Sequence, residues 1–268
     1  MKRLALPTLC AALALLAAGA AFAGDNDWRL RIKKEVDGWS ASFNGPMDYG
    51  SGRNRVRGSG VKVEKVRALA PFTRLRIDGP VDVRLSQAAA DQATVVADDN
   101  IEPLVETAVE GGTLVVRVKR DAGFSTRRAP SVRVDARTLQ AVAVNGSGDL
   151  AVERFKGDSL GLDVEGSGDV DLGLVDLKVL TVSISGSGDV RVSGRAEQQT
   201  WRISGSGDVD ARSLAGCSAR VELNGSGDAS LGVTEQLDAE LSGSGDLSYA
   251  GRPQLRQSVS GSGEIQRR

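Results

Sequence analysis

The chain has 268 residues, with 34 Lys and Arg against 35 Asp and Glu, no histidine, two cysteines and 33 glycines. The lack of histidine excludes Ser-His-Asp and Cys-His catalysis and histidine-ligated metal centres. The even charge balance argues against a nucleic-acid partner, whose phosphates need a basic surface.

Lys2 and Arg3, an apolar run over residues 4–20, and Ala21-Phe22-Ala23 have the order of a secretory leader, cut before Gly24. Cys10 follows Pro7-Thr8-Leu9 too early in the run for a lipoprotein cleavage site, so no lipid anchor is expected. Removing residues 1–23 leaves 32 cationic against 35 anionic side chains, a net charge of −3. Cys217 is then the only cysteine, so no intramolecular disulfide can form, and it reads as a small half-buried hydrophobe. No later stretch is apolar enough to cross a bilayer. The predicted product is exported, to the periplasm or the cell surface.

Residues 24–60 hold Trp28, Trp39, Phe43 and Tyr49 among many Gly, Asn and Arg. They read as a flexible or capping arm, whose aromatics would cover the open end of a stack of strands. From residue 61 the pattern becomes regular, and residues 61–268 read as one domain. In 61–128, Leu75, Ile77, Gly79, Asp82, Val83 and Leu85 fall at offsets that recur later, like an older and blurred form of a repeat. Thr94-Val95-Val96-Ala97 and Thr113 to Val118 read as further strands, and Glu110-Gly111-Gly112-Thr113 as a turn before the latter. Residues 121–130 read as a polar, Arg-bearing loop.

The array itself is built on Gly146-Ser147-Gly148-Asp149, which returns from Gly166, Gly186, Gly205, Gly225, Gly243 and Gly261, every 18–20 residues. A fixed period near twenty marks a stack of repeated units. Apolar residues alternate on both sides of each copy: Val142 and Val144 before the first, Leu150 and Val152 after it. That alternation predicts two strands per repeat, each with one buried face, as in one coil of a parallel β-helix. Parity puts Ser and Asp outside and both glycines inside, where a bend of the wall would leave room only for hydrogen. Stacking would then align Asp149, Asp169, Asp189, Asp208, Asp228, Asp246 and Glu264 in one outward column. Ser147, Ser167, Ser187, Ser206, Ser226, Ser244 and Ser262 would form a second, and Asn145, Glu165, Ser185, Ser204, Asn224, Ser242 and Ser260 a third.

The motifs Asp78-Gly79-Pro80-Val81-Asp82-Val83, Ala97-Asp98-Asp99-Asn100-Ile101, Gly112-Thr113-Leu114 and the serial Gly-Ser-Gly-Asp corners resemble the head GIN domain family of auto-transporter adhesins. The resemblance runs from about residue 61 to 268. It implies an all-β fold, a right-handed single-stranded parallel β-helix of about 18–20 residues per coil. It carries over no catalytic residue, because the family has no established activity. No stretch after the array reads as a translocator barrel, so autotransport is not expected.

A glycosidase needs two carboxylates in distinct environments across a cleft, whereas these are evenly spaced along a corner. Calcium-binding β-rolls repeat Gly-Gly-x-Gly-x-Asp about every nine residues, so that facing loops share an ion, an arrangement that a period near twenty does not supply. The expectation is therefore no cofactor. Weak Ca²⁺ association along the acid column stays open beside the reading in which each Asp accepts turn hydrogen bonds. The polar columns could contact glycans or envelope components at many weak points. Three readings of function remain: a non-enzymatic adhesion or envelope-interaction protein, which the even spacing favours; a carboxylate-based polysaccharide lyase or hydrolase; and a purely structural periplasmic protein.

Overall fold

The computed structural model describes residues 30–35, 38–43, 47–49, 55–120 and 122–268. The leader expected at 1–23 lies outside them, as does Trp28, and the side chains of Trp39, Phe43 and Tyr49 are not described either. The chain divides into two compact units, Met1–Met47 and Asp48–Arg268. In the first, Leu30–Glu35 and Gly38–Phe43 form an antiparallel hairpin.

The second unit is a parallel β-solenoid of about six turns. One column of strands runs from Arg74–Asp78 through Ala141–Gly146 and Ser159–Gly166 to Gln236–Leu241 and Gln254–Val259. The other begins at Asp82–Gln87, continues through Leu150–Lys156, Val209–Ala215 and Ala229–Gly232, and reaches Leu247–Ala250 and Ile265–Arg267. The long strands Val170–Gly186 and Val190–Gly205 serve both columns, since each passes from one wall to the next without a break. The repeat offsets therefore become register: Val144 pairs with Val164, Val164 with Ile184, and Ile184 with Ile203.

This register builds the core. Val144, Val164, Ile184, Ile203, Leu223 and Leu241 are all at most 1% exposed, while Val259 in the last coil is 44% exposed because nothing among the described residues covers it. Each fully buried aliphatic in such a column contributes about 1.5–3 kcal/mol. Trp201 occupies the Val182 register and is fully buried. Its indole Nε1 donates to Oε1 of the equally buried Gln199 at 3.1 Å, so the one polar atom of the ring is satisfied inside the core.

Spatial order departs from chain order at the N-terminal end. Arg74–Asp78 has Ala141–Gly146 on one side and Thr113–Val118 on the other, both parallel to it. Asp82–Gln87 likewise lies between Leu150–Lys156 and Ser131–Ala136. The first coil of the chain is thus the second in the stack, with a later coil beneath it. Within residues 61–128 the blurred repeat holds at 74–87 and again at Thr113–Val118, where Leu114 takes the Leu75 register and Val116 that of Ile77. The remaining strands close the end as antiparallel additions: Gln92–Asp98 against Ser131–Ala136, Lys62–Ala68 against Gln92–Asp98, and Val105–Glu110 against Thr113–Val118. Gly111 and Gly112 take φ of +55° and +76° at the turn of that last hairpin, as a two-residue connection between twisted strands requires.

The polar loop expected at 121–130 contains a strand, Gly123–Thr126, paired in parallel with Arg55–Arg57. Its alternation is short and carries one large apolar residue: Phe124 and Thr126 are buried, with the half-buried Ser125 between them. Glu102–Leu104 is a single 3₁₀ turn.

Candidate functional site: the acid corner and its groove

At the five corners from Gly166 to Gly243, the backbone N–H groups of Ser, of Asp and of the residue after Asp go to three different acceptors. The Ser N–H donates to the first Gly carbonyl of the preceding coil, as Ser187 does to Gly166 at 2.8 Å and Ser206 to Gly186 at 2.9 Å. The residue after Asp donates to the Asp carbonyl of the following coil, as Val170 does to Asp189 at 2.8 Å. Between them the chain turns, and the Asp N–H finds a side chain instead of a carbonyl. Asp169 donates to Oδ1 of Asp149 at 3.0 Å, Asp189 to Asp169 at 2.9 Å, and Asp208 to Asp189 at 2.9 Å. Asp228, Asp246 and Glu264 extend the chain of bonds at 2.8–2.9 Å. Each carboxylate fills the gap that the corner opens in the inter-coil ladder.

The ladder begins one rung before the perfect repeat, since Asp149 N–H donates to Asp82 Oδ1 at 3.2 Å. Burial pushes the Asp82 carboxyl above its usual range, against the Asp149 backbone bond that lowers it; the Asp149 charge adds to the rise. At the other end, Glu264 takes no backbone N–H and receives Gln266 Nε2 at 2.7 Å. The last corner can therefore carry the longer acid.

All seven predicted acids and all seven predicted serines are exposed, so the outward parity stands. The third column also aligns in register, Asn145 with Glu165, Ser185 and Ser204, and Asn145 is tied to Asp78 Oδ1 at 2.9 Å. The reason given for the glycines needs correction. A Cβ on Gly166, Gly186 or Gly205 would overlap the carbonyl oxygen of the glycine one coil earlier, and one on Gly168 or Gly188 would do the same. The hydrogen is required along the stacking axis, where backbones approach, and not by a bend toward the core.

Five ladder acids, Asp149, Asp169, Asp189, Asp208 and Asp228, line a shallow groove of about 520 Å³. Its other wall carries Asp171, Arg191, Asp210, Arg212 and Ser230. Arg212 makes two bonds to Asp210, at 2.9 and 2.7 Å, and these hold the Asp210 carboxyl below the usual carboxylate range despite partial burial. Arg191 lies 4.0 Å from the same carboxylate. The sequence reading missed this wall. The usable signal was parity, since Asp171, Arg191 and Asp210 stand two places after a ladder acid and must face outward with it.

The next corner manages charge differently. Lys156 pairs with Asp176 and Lys178 with Asp158, each at 2.7 Å, so opposite signs alternate from coil to coil. The acid ladder has no such alternation, and one oxygen of each carboxylate is left for solvent or a ligand. Among the described residues, no group of three or more acidic or cysteine side chains is arranged to hold a metal ion.

The geometry defines a class: a parallel β-solenoid with a stacked-acid corner and an open polar groove. The family described as "Putative auto-transporter adhesin, head GIN domain" matches residues 71–253, and the chain belongs to it. Among solved structures it is similar to a "putative adhesin" from Bacteroides fragilis, with 24% identity and a TM-score of 0.75 over 80% of this chain and 100% of that one. It is also similar to a "Putative lipid binding protein" from Parabacteroides distasonis, with 24% identity and a TM-score of 0.68 over 80% and 100%. A "putative adhesin" from the same organism gives 23% identity and a TM-score of 0.65 over 80% and 100%. These likenesses show the shared fold. Comparison with curated proteins finds no match.

Proposed function

We propose that the protein is exported, with its leader cut after Ala23, and works without catalysis by holding glycans or other envelope components along the acid corner. The observation that carries this reading is the groove of about 520 Å³, which repeats a carboxylate acceptor coil after coil. In each of the five groove acids Oδ1 accepts a backbone N–H, and the exposed carboxylates share the groove with Arg191, Arg212 and Ser230. Many equivalent weak contacts suit a repetitive ligand, through effective concentration and not through one deep pocket. Acid–base chemistry on a sugar needs two carboxylates in unlike surroundings, and the ladder acids share one environment. Membership of an adhesin-named family supports the same reading.

The test is a glycan and envelope-fraction binding screen of the processed chain, with Ca²⁺ and with chelator. The expected result is saturable binding that weakens in Arg191→Ala/Arg212→Ala. Turnover of a bound glycan would replace this reading by the enzymatic one, and no saturable binding would leave a passive structural role.

A further inference from the structure

The small sheet at the N-terminal end of the solenoid has a charged outer face that the corner reading does not use. Gly123–Thr126 pairs with Arg55–Arg57 so that Phe124 faces Val56 and Ser125 faces Arg57. Phe124 packs with Ala97, Ile101 and Val56 in a separate small core, so this register turns Arg55 and Arg57 outward. Arg127 and Arg128 follow the strand directly, Lys119 and Arg120 lie just before it, and all six cations are exposed. Arg55 pairs with Asp48 at 2.9 Å, and no ion pair to the other five is present among the described residues. The exposed carboxylates described nearby are Asp48 and Asp99; Asp121 lies outside the described residues.

We infer that this face docks the protein on an anionic phospholipid surface. Five of the six cations are arginines, whose planar guanidinium donates two parallel bonds to a phosphate. Arg55 and Arg57 stand on the outer side of their strand and the other four on the segments flanking its partner, all exposed, so they suit a plane of headgroups better than one enclosed anion. Clusters of this size gain attraction to anionic membranes roughly in proportion to their cations and lose it with salt. The acid groove of a second copy is a poorer match, because Arg191 and Arg212 already occupy its wall. This inference shares only export with the corner reading.

The probe is co-sedimentation of the processed chain with vesicles of phosphatidylcholine alone, or with phosphatidylglycerol replacing part of it. Binding is expected only to the anionic vesicles, weakening steeply with salt. Arg127→Glu/Arg128→Glu should reduce it at least about tenfold. Lys119→Glu/Arg120→Glu is an independent loop variant that serves if the first does not fold. Asp189→Asn should bind vesicles as the parent does, which separates this test from failure of the groove reading. Equal binding to neutral vesicles, no binding to anionic ones, or unchanged binding in both charge-reversal variants would overturn the inference. So would competition by millimolar inorganic phosphate, which would mark a small-anion site, or lipid-free self-association abolished by the variants, which would mark a second copy as partner.

Discussion

At the scale of single residues, the corner separates two substitutions that look equally mild. Gly186 has φ of +152°, and an added Cβ would overlap Gly166 O, so Gly186→Val must push two coils apart. Ser187 is exposed, and only its backbone bonds across coils. In urea titrations Gly186→Val should cost at least about 3 kcal/mol, and Ser187→Ala less than about 0.5 kcal/mol. Equal losses would mean that the glycine is not needed for close approach.

Asp189 is the residue-scale test of the ladder. Its Oδ1 accepts the Asp208 N–H, and Asn keeps that acceptor while removing a charge from a like-charged column. Asp189→Asn should therefore melt within a degree or two of the parent. Asp189→Ala should lose about 0.5–1.5 kcal/mol, the worth of one such bond. Melting with Ca²⁺ and with chelator then addresses the free oxygens. A large calcium-dependent rise that disappears in Asp189→Asn would make cation binding, and not backbone pairing, the main work of the column.

At the scale of elements, the N-terminal closure depends on Glu102, whose side chain is 2% exposed beside Lys65 and Arg67. Burial works to raise its pKa, but the hydrogen bonds and charges of Lys65 and Arg67 outweigh it and hold the carboxyl below its ordinary value of 4.5. A depressed folded-state pKa gives stability that is complete above the unfolded value and is lost as pH falls through the folded one. The closing strand Lys62–Ala68 should therefore loosen below about pH 4.5. Glu102→Gln should weaken it at neutral pH and flatten the acid-side loss. Amide exchange of residues 62–68 against pH would show this, and an unchanged profile in Glu102→Gln would assign the acid loss elsewhere.

For the whole solenoid, stability is expected to follow contact between neighbouring coils, as in other stacked-repeat proteins. Leu114 is fully buried in the coil beneath Arg74–Asp78, while Leu255 is half-buried in the outermost strand of the other end. Leu114→Ala should cost about 2–5 kcal/mol and lower the main transition. Leu255→Ala should cost less than about 1 kcal/mol and increase exchange only in residues 254–268, since a half-buried side chain leaves a smaller void. A comparable global loss from both would mean that the stack unfolds as one unit.

The solenoid, the facing of its residues and the acid column are all legible in the chain. Each repeat writes inside and outside into a two-residue alternation, and equal spacing forces equal register, as in Val144, Val164 and Ile184. Stacking alone set residues 113–136 beneath residues 74–87, because alternation states which face a strand buries and not which strand lies beside it. It also decided why the glycines are there and what the aspartates hold. Both depend on the gap between successive coils, where Gly186 meets Gly166 and the Asp189 carboxylate meets the Asp208 N–H. Those partners stand a full repeat apart in the chain, and only stacking brings their backbones within reach.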